Sequence, residues 1–160
     1  MKVVRYVIIS VLLVIVQTSL IHLLTLEGVT PDILTIWVVY LAVREGQLRG
    51  TVWGFAVGLL FDVVSGGFFG LSALTKTVSG FCAGYFYNEN KTPLTLSSYR
   101  FLVIVLIVSM IHNTLYFLID TQGSDVGLIR AIFQVGVATT FYTTIWTLVP
   151  MFAFARKYIA

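Results

Sequence analysis

The chain has 160 residues, of which 58% are hydrophobic and only 11% charged, against about a quarter charged in a typical soluble domain. With a mean hydropathy of +0.96, this excludes a soluble fold and leaves little chain for a water-exposed domain. The net charge of +3 includes no basic run longer than Arg156-Lys157, so nothing points to nucleic acid, and a single cysteine, Cys82, excludes an internal disulfide or a thiolate metal cluster.

Six apolar segments follow in order, at about 6–26, 31–43, 50–64, 68–87, 101–119 and 131–155. They predict an all-α integral membrane protein, one six-helix transmembrane domain over 1–160. Lys2 and Arg5 ahead of the first segment superficially suit a signal peptide. The apolar run is longer than a usual signal core and no small-x-small cleavage site follows, so it reads as a retained first span. The second and third segments would be roughly 20 Å long at about 1.5 Å per residue, less than a full crossing of a hydrocarbon core of about 30 Å. Thr30 can cap the second segment, Pro31 suits its first turn and Asp32 suits the positive end of the helix dipole. Pro150 predicts a kink in the long sixth segment.

Charge sets the expected orientation. With the amino terminus in the cytoplasm, Lys2, Arg5, Arg44, Arg49, Lys91, Arg100, Arg156 and Lys157 fall inside and only Arg130 outside. Glu27, Asp32, Asp120 and Asp125 fall outside, while Tyr6, Tyr40, Trp53, Tyr85, Tyr87, Tyr99 and Tyr158 form an aromatic belt near the inner interface. Both termini are therefore expected in the cytoplasm, with connections 27–30, 65–67 and 120–130 facing outward.

Glycine is concentrated between 46 and 84, where Gly46, Gly50, Gly54 and Gly58 recur every four residues. Asp62, Gly66 and Gly70 continue the interval, and Gly80 and Gly84 repeat it in the fourth segment. In lipid, small residues four apart let two helix backbones approach closely. The row suits either packing within one subunit or a seat for a partner helix.

Two charges lie at membrane depth, Asp62 and Lys76. Such a residue costs about 2.5–3.5 kcal/mol at a helix centre and normally faces the bundle interior or a cavity. Because segments three and four form a hairpin through Ser65-Gly66-Gly67, the two are expected to meet as an intramembrane ion pair. A polar site facing a partner or ligand, and Asp62 lying at the outer interface, are the alternatives. Gln17, Thr18 and His22, His112-Asn113, and Gln134, Thr140, Thr143 and Thr147 read as hydrogen-bonding groups between helices. No histidine spacing suits a metal. The stretch from Gly70 to Lys76-Thr77 lacks the glycine a phosphate loop needs before its lysine. Ser65, Ser72 and Ser79 have no histidine at a telling spacing, so serine hydrolysis has no support.

The succession Pro31-Asp32, Gly50, Gly54-Phe55, Gly58-Leu59, Asp62, Ser65-Gly66, Gly70, Ala73-Leu74, Gly80 and Gly84-Tyr85 resembles the bacterial rod shape-determining MreD family. The resemblance spans nearly the whole chain in length and segment order, with its specific part between about 31 and 85; Lys76 departs from an otherwise apolar span. It implies a non-enzymatic scaffold of the bacterial inner membrane, without cofactor or metal, that maintains rod shape within the lateral cell-wall elongation complex. The implied partners are MreC, the actin-like MreB filament directly or indirectly, and a peptidoglycan glycosyltransferase and transpeptidase. Pro31, Asp32, Gly50, Gly54, Phe55, Gly58, Asp62, Gly66, Gly70, Gly80 and Gly84 are the expected packing or partner residues. The family is also similar in fold to the substrate-binding membrane subunits of energy-coupling-factor transporters, which gives the alternative of a vitamin-type binding subunit.

Overall fold

Which side chains a helix hides decides its place in this bundle. The computed structural model describes residues 2–19, 29–122 and 131–159, with the side chains of 131, 154, 155 and 157–159 excepted. The expectations for 20–26, His22, Glu27, Asp125, Arg130 and Tyr158 lie outside what it describes. Helix α1 (Lys2–Ser19) buries Tyr6, Ser10 and Val14, one residue every four, so a single narrow stripe faces inward and the rest is an apolar exterior. Helix α2 (Ile33–Glu45) is apolar all round, with Leu34, Val38, Val39, Leu41, Ala42 and Val43 fully buried. It is the central helix, enclosed by the others.

Helices α3 (Gln47–Ser65) and α4 (Leu71–Gly84) form the most extensively packed pair. A short α5 (Thr92–Leu96), opened by Pro93 in its first turn, leads into α6 (Tyr99–Asp120). The last apolar segment is broken into a π-helical stretch Ala131–Gly136, α7 (Val137–Trp146) and α8 (Leu148–Ile159). Its break at Thr147 comes three residues before Pro150, whose ring nitrogen cannot donate to the Trp146 carbonyl one turn earlier. One ladder bond is lost there, while Thr147 keeps helical backbone angles, its amide bonds the Thr143 carbonyl and its carbonyl accepts from Met151.

The protein is an all-α membrane protein. Among the described residues, four stretches are long and apolar enough to cross a bilayer: Lys2–Ser19, Gln47–Ser65, Tyr99–Asp120 and Ile132–Ala153. With 13 and 14 residues, α2 and α4 extend only about 20 Å. Both pack against longer neighbours, and the start of α2 lies within the bundle.

The glycines of α3 and α4 are where the two backbones touch. A Cβ at Gly54 would stand 2.2 Å from the Lys76 carbonyl oxygen, at Gly58 2.4 Å from that of Ser72, and at Gly80 2.2 Å from that of Gly50. At Gly84 it would meet the Gln47 Cα at 2.2 Å, and at Gly50 the Ala42 Cβ at 2.4 Å, so Gly50 serves α2 as well as α4. Gly66 and Gly70 do something else. They have open space around them and left-handed φ values of 67° and 94°, closing α3 and opening α4. Phe55 points away from this contact and is 51% exposed.

The aromatics expected at the inner interface divide into two groups. Tyr6 and Tyr40 are buried, and Tyr6 makes edge contacts with Trp37 and Trp53 while Trp37 stacks on Tyr40. Tyr85 and Tyr99 are each 70% exposed. At the same end, Tyr6 donates to Glu45 at 2.7 Å, Arg49 pairs with Glu45 at 2.8 Å and Arg44 donates to the Tyr40 hydroxyl.

Candidate functional site: a buried polar cluster and its cavity

Because α2 is short, its N-terminus begins inside the bundle, where four unpaired backbone donors need partners. Asp32, not Thr30, is the N-cap: its Oδ1 accepts from the Thr35 amide at 2.9 Å and its Oδ2 from the Thr35 hydroxyl at 2.7 Å. Pro31 therefore precedes the cap instead of occupying the first helical turn. The Gln17 side chain spans this entry, donating to the Pro31 carbonyl and accepting from the Ile33 amide, both at 3.0 Å. Thr143 of α7 accepts from the Asp32 amide at 3.0 Å.

Lys76 joins Asp32. Its ammonium lies 2.6 Å from Asp32 Oδ2 and 3.3 Å from the Thr35 hydroxyl, with the Phe61 ring at 5.9 Å on another side. His112 of α6 approaches the same carboxylate oxygen at 3.2 Å through Nε2, and its Nδ1 lies 3.4 Å from the Ser79 hydroxyl. A buried charge survives when it is paired and its remaining hydrogen-bonding positions are filled. Here one carboxylate gathers an ammonium, an imidazole, a hydroxyl and a backbone amide from three helices.

The expected pairing of Lys76 with Asp62 is therefore replaced by Lys76 with Asp32. Asp62 is 3% exposed, and its carboxylate accepts from the amides of Gly70 at 2.9 Å, Ser72 at 3.2 Å and Ala73 at 3.0 Å. From the last turn of α3 it caps the first turn of α4, where the helix dipole favours a negative charge. The lysine stem extends away from this cap toward α2. The expectation that Asp32 lies in an outer connection is corrected with it: the residue is part of the interior.

The contact order Ser79–His112–Asp32 has the residue types of a hydrolase triad, which spacing along the chain did not suggest because the three sit on three different helices. The environment is wrong for a nucleophile. Ser79 is fully buried and its hydroxyl donates to the Thr75 carbonyl at 2.8 Å. Beside His112, Asn113 donates to the Thr140 hydroxyl at 2.8 Å and the Gly136 carbonyl at 3.2 Å, tying α6 to the start of α7. Among the described residues, the Thr147 and Thr18 hydroxyls donate to carbonyls of their own helices.

Next to the cluster is a cavity of about 310 Å³. Asp32, Lys76, His112, Asn113 and Ser72 supply its polar wall, and Phe61, Tyr116 and Phe117 its aromatic one. A group entering it would meet hydrogen-bonding side chains already positioned by one another.

A family model described as rod shape-determining protein MreD matches residues 1–158. The chain belongs to the MreD family. Comparison with curated proteins and with solved structures gives no match. Membership of the MreD family assigns the protein a part in rod shape determination, in a family that acts structurally and is not a known enzyme family. Two marks of the resemblance acquire physical reasons in this structure. The Pro-Asp pair places a carboxylate at the buried start of α2, and the Gly-Phe-x-x-Gly-Leu-x-x-Asp run places two glycines against α4 and a carboxylate at its N-terminus.

Proposed function

We propose that the protein is a non-enzymatic scaffold of the lateral cell-wall elongation complex, holding MreC by a transmembrane contact and linking the MreB filament to the peptidoglycan glycosyltransferase and transpeptidase. The family match over 1–158 carries this reading. The interior supports it: the buried charges are engaged with one another or with helix ends, so the polar cluster stiffens the bundle. A stiff bundle with an apolar exterior suits a part whose task is to hold other membrane helices. The bacterial inner membrane, six crossings and two cytoplasmic termini belong to the same proposal, on the strength of the basic asymmetry.

Purification in mild detergent tests it: MreC and cell-wall synthases should be retained with the protein. Their absence from the unaltered protein's eluate would overturn the scaffold. Orientation is checked by single-cysteine labelling in a Cys82→Ser background, with position 125 labelled in intact spheroplasts.

One observation favours a second reading. The cavity beside Asp32, Lys76 and His112 has the mixed aromatic and polar wall of a small-molecule site, as a vitamin-type binding subunit requires. A labelled vitamin retained through purification, and lost in Asn113→Ala, would select it.

A further inference from the structure

A second, apolar cavity of about 400 Å³ lies on the opposite side of α2, between α1 and α8. Ile9 of α1 and Ala153 of α8 form its two rims, and Ile36, Tyr40 and Phe101 lie along its floor beside Trp146. The floor is almost closed: Ile36 is 6% exposed, Tyr40 7% and Phe101 0%. A packed helix needs about 8–10 Å between axes, and a face awaiting one would show exposed side chains. A cavity of this volume over a closed floor suits something thinner, such as a single hydrocarbon chain.

The helices around it run so that each meets a basic residue at the same end. Gln17 contacts Ile33, Ser10 contacts Trp37 and Tyr6 contacts Glu45, so α1 is antiparallel to α2. His112 lies at the start of α2 and Phe101 near its end, so α6 is antiparallel to it as well. Thr143 meets Asp32 while Ala153 lies near Tyr40, so α7 and α8 descend in the direction of α2. One turn beyond the crevice, Arg5 follows Ile9 on α1, Arg44 follows Tyr40 on α2 and Arg156 follows Ala153 on α8, while Arg100 adjoins Phe101 on α6. Arg5, Arg100 and Arg156 are exposed and make no ion pair with a described residue. The nearby acid, Glu45, is occupied by Arg49 and Tyr6.

We infer that this crevice binds one acyl chain of an anionic phospholipid, whose phosphate is held by the arginines at its mouth. An apolar slot ending in a basic collar between transmembrane helices has the two features that anionic lipid headgroups and chains need together. A zwitterionic lipid would fill the slot but gain nothing from the collar.

The test uses the full chain, delipidated in detergent, with dioleoyl phosphatidylglycerol and dioleoyl phosphatidylcholine as probes. Native mass spectrometry should retain one phosphatidylglycerol in preference to phosphatidylcholine. The Arg5→Gln, Arg100→Gln, Arg156→Gln variant should lose that preference by roughly fivefold per charge, corresponding to about 1 kcal/mol each, while phosphatidylcholine retention stays put. Ala153→Phe, at an exposed rim position, should plug the slot and abolish retention of both. Equal retention of the two lipids by the unaltered protein, or unchanged phosphatidylglycerol retention in Ala153→Phe, would overturn the proposal. So would loss of a co-purifying single-span protein from Ala153→Phe with lipid retention intact, which would make the crevice a seat for a helix. Should Ala153→Phe fail to fold, tryptophan quenching decides: bromine-labelled phosphatidylglycerol should quench more than its phosphatidylcholine counterpart. Because Trp37 and Trp146 both line the slot, Trp37→Phe combined with Trp146→Phe should remove that difference; its persistence would place the lipid elsewhere.

Discussion

The two faces of α2 and its neighbours are built on opposite packing rules. Along α3 and α4, glycines remove side chains from the contact and backbone meets backbone, with no room for even a Cβ at Gly54, Gly58, Gly80 or Gly84. Across the mouth between α1 and α8, a slot of about 400 Å³ remains. In lipid, no hydrophobic drive pulls helices together, so close packing must come from small residues and polar bonds. The α3–α4 hairpin has both, the second in the Asp62 cap. Neither α1 nor α8 has a glycine to bring the two backbones together, and space persists there.

The largest effect expected breaks the close contact. Gly54→Leu or Gly58→Leu would drive a side chain into the α4 backbone, and overpacking costs about 1–3 kcal/mol even where only side chains need to move. The folded fraction, read as monodisperse protein on size-exclusion chromatography in detergent, should fall to near background. Gly67→Ala tests the contrast, since its Cβ would meet only the Ser65 hydroxyl at 3.8 Å; its yield should match the unaltered protein.

Next in size is the Asp32–Lys76 pair, which links α2 to α4. Removing one partner of a buried ion pair typically costs about 3–5 kcal/mol, whereas replacing both can be close to neutral. Asp32→Asn and Lys76→Met should each lower the melting temperature strongly, and the double variant should regain much of the loss. A double-mutant cycle on thermal unfolding measures the coupling. A coupling near zero would show that the two groups serve separate contacts.

How much of this was legible in the sequence follows the same division. Glycines four apart announce a close contact, because that spacing keeps small residues near one helix face, and the fourth segment's matching pair supplied the other side. The partner of Lys76 was not legible. Proximity in the hairpin favoured Asp62, and the outward assignment of acidic residues removed Asp32 from the interior. Only the shortness of α2 could have corrected this: a helix of about 20 Å cannot bring both ends to the surface of a bilayer core of about 30 Å. The contact of His112 with Asp32 and Ser79 was hidden because spacing rules search one helix at a time. The crevice with its arginines was hidden for the same reason, its lining coming from α1, α2, α6, α7 and α8.

A smaller effect separates the two carboxylates. Asp62 accepts three backbone amides at the start of α4, and loss of a helix cap typically costs about 0.5–2 kcal/mol. Asp62→Asn should therefore lower the melting temperature less than Asp32→Asn does. Combined with Lys76→Met, its effect should add, since the two side chains share no bond. Non-additive behaviour would restore a direct link across the hairpin.

The smallest effect is expected one residue from the largest. Phe55 follows Gly54 in the chain but is 51% exposed on the outer side of α3, where its ring exchanges one apolar neighbour, lipid, for another on unfolding within the membrane. Substitutions at such positions usually change stability by no more than about 0.5 kcal/mol, so Phe55→Ala should melt like the unaltered protein. The variant therefore isolates the outer face of α3 from the packing beneath it. Rod shape restored to a strain lacking the protein by Phe55→Ala, with melting unchanged, would show that the family's Gly-Phe pair matters through its glycine. Loss of shape with unchanged melting would instead assign Phe55 to contact with another membrane helix, and α3 would then carry an internal contact and an external one on its two sides.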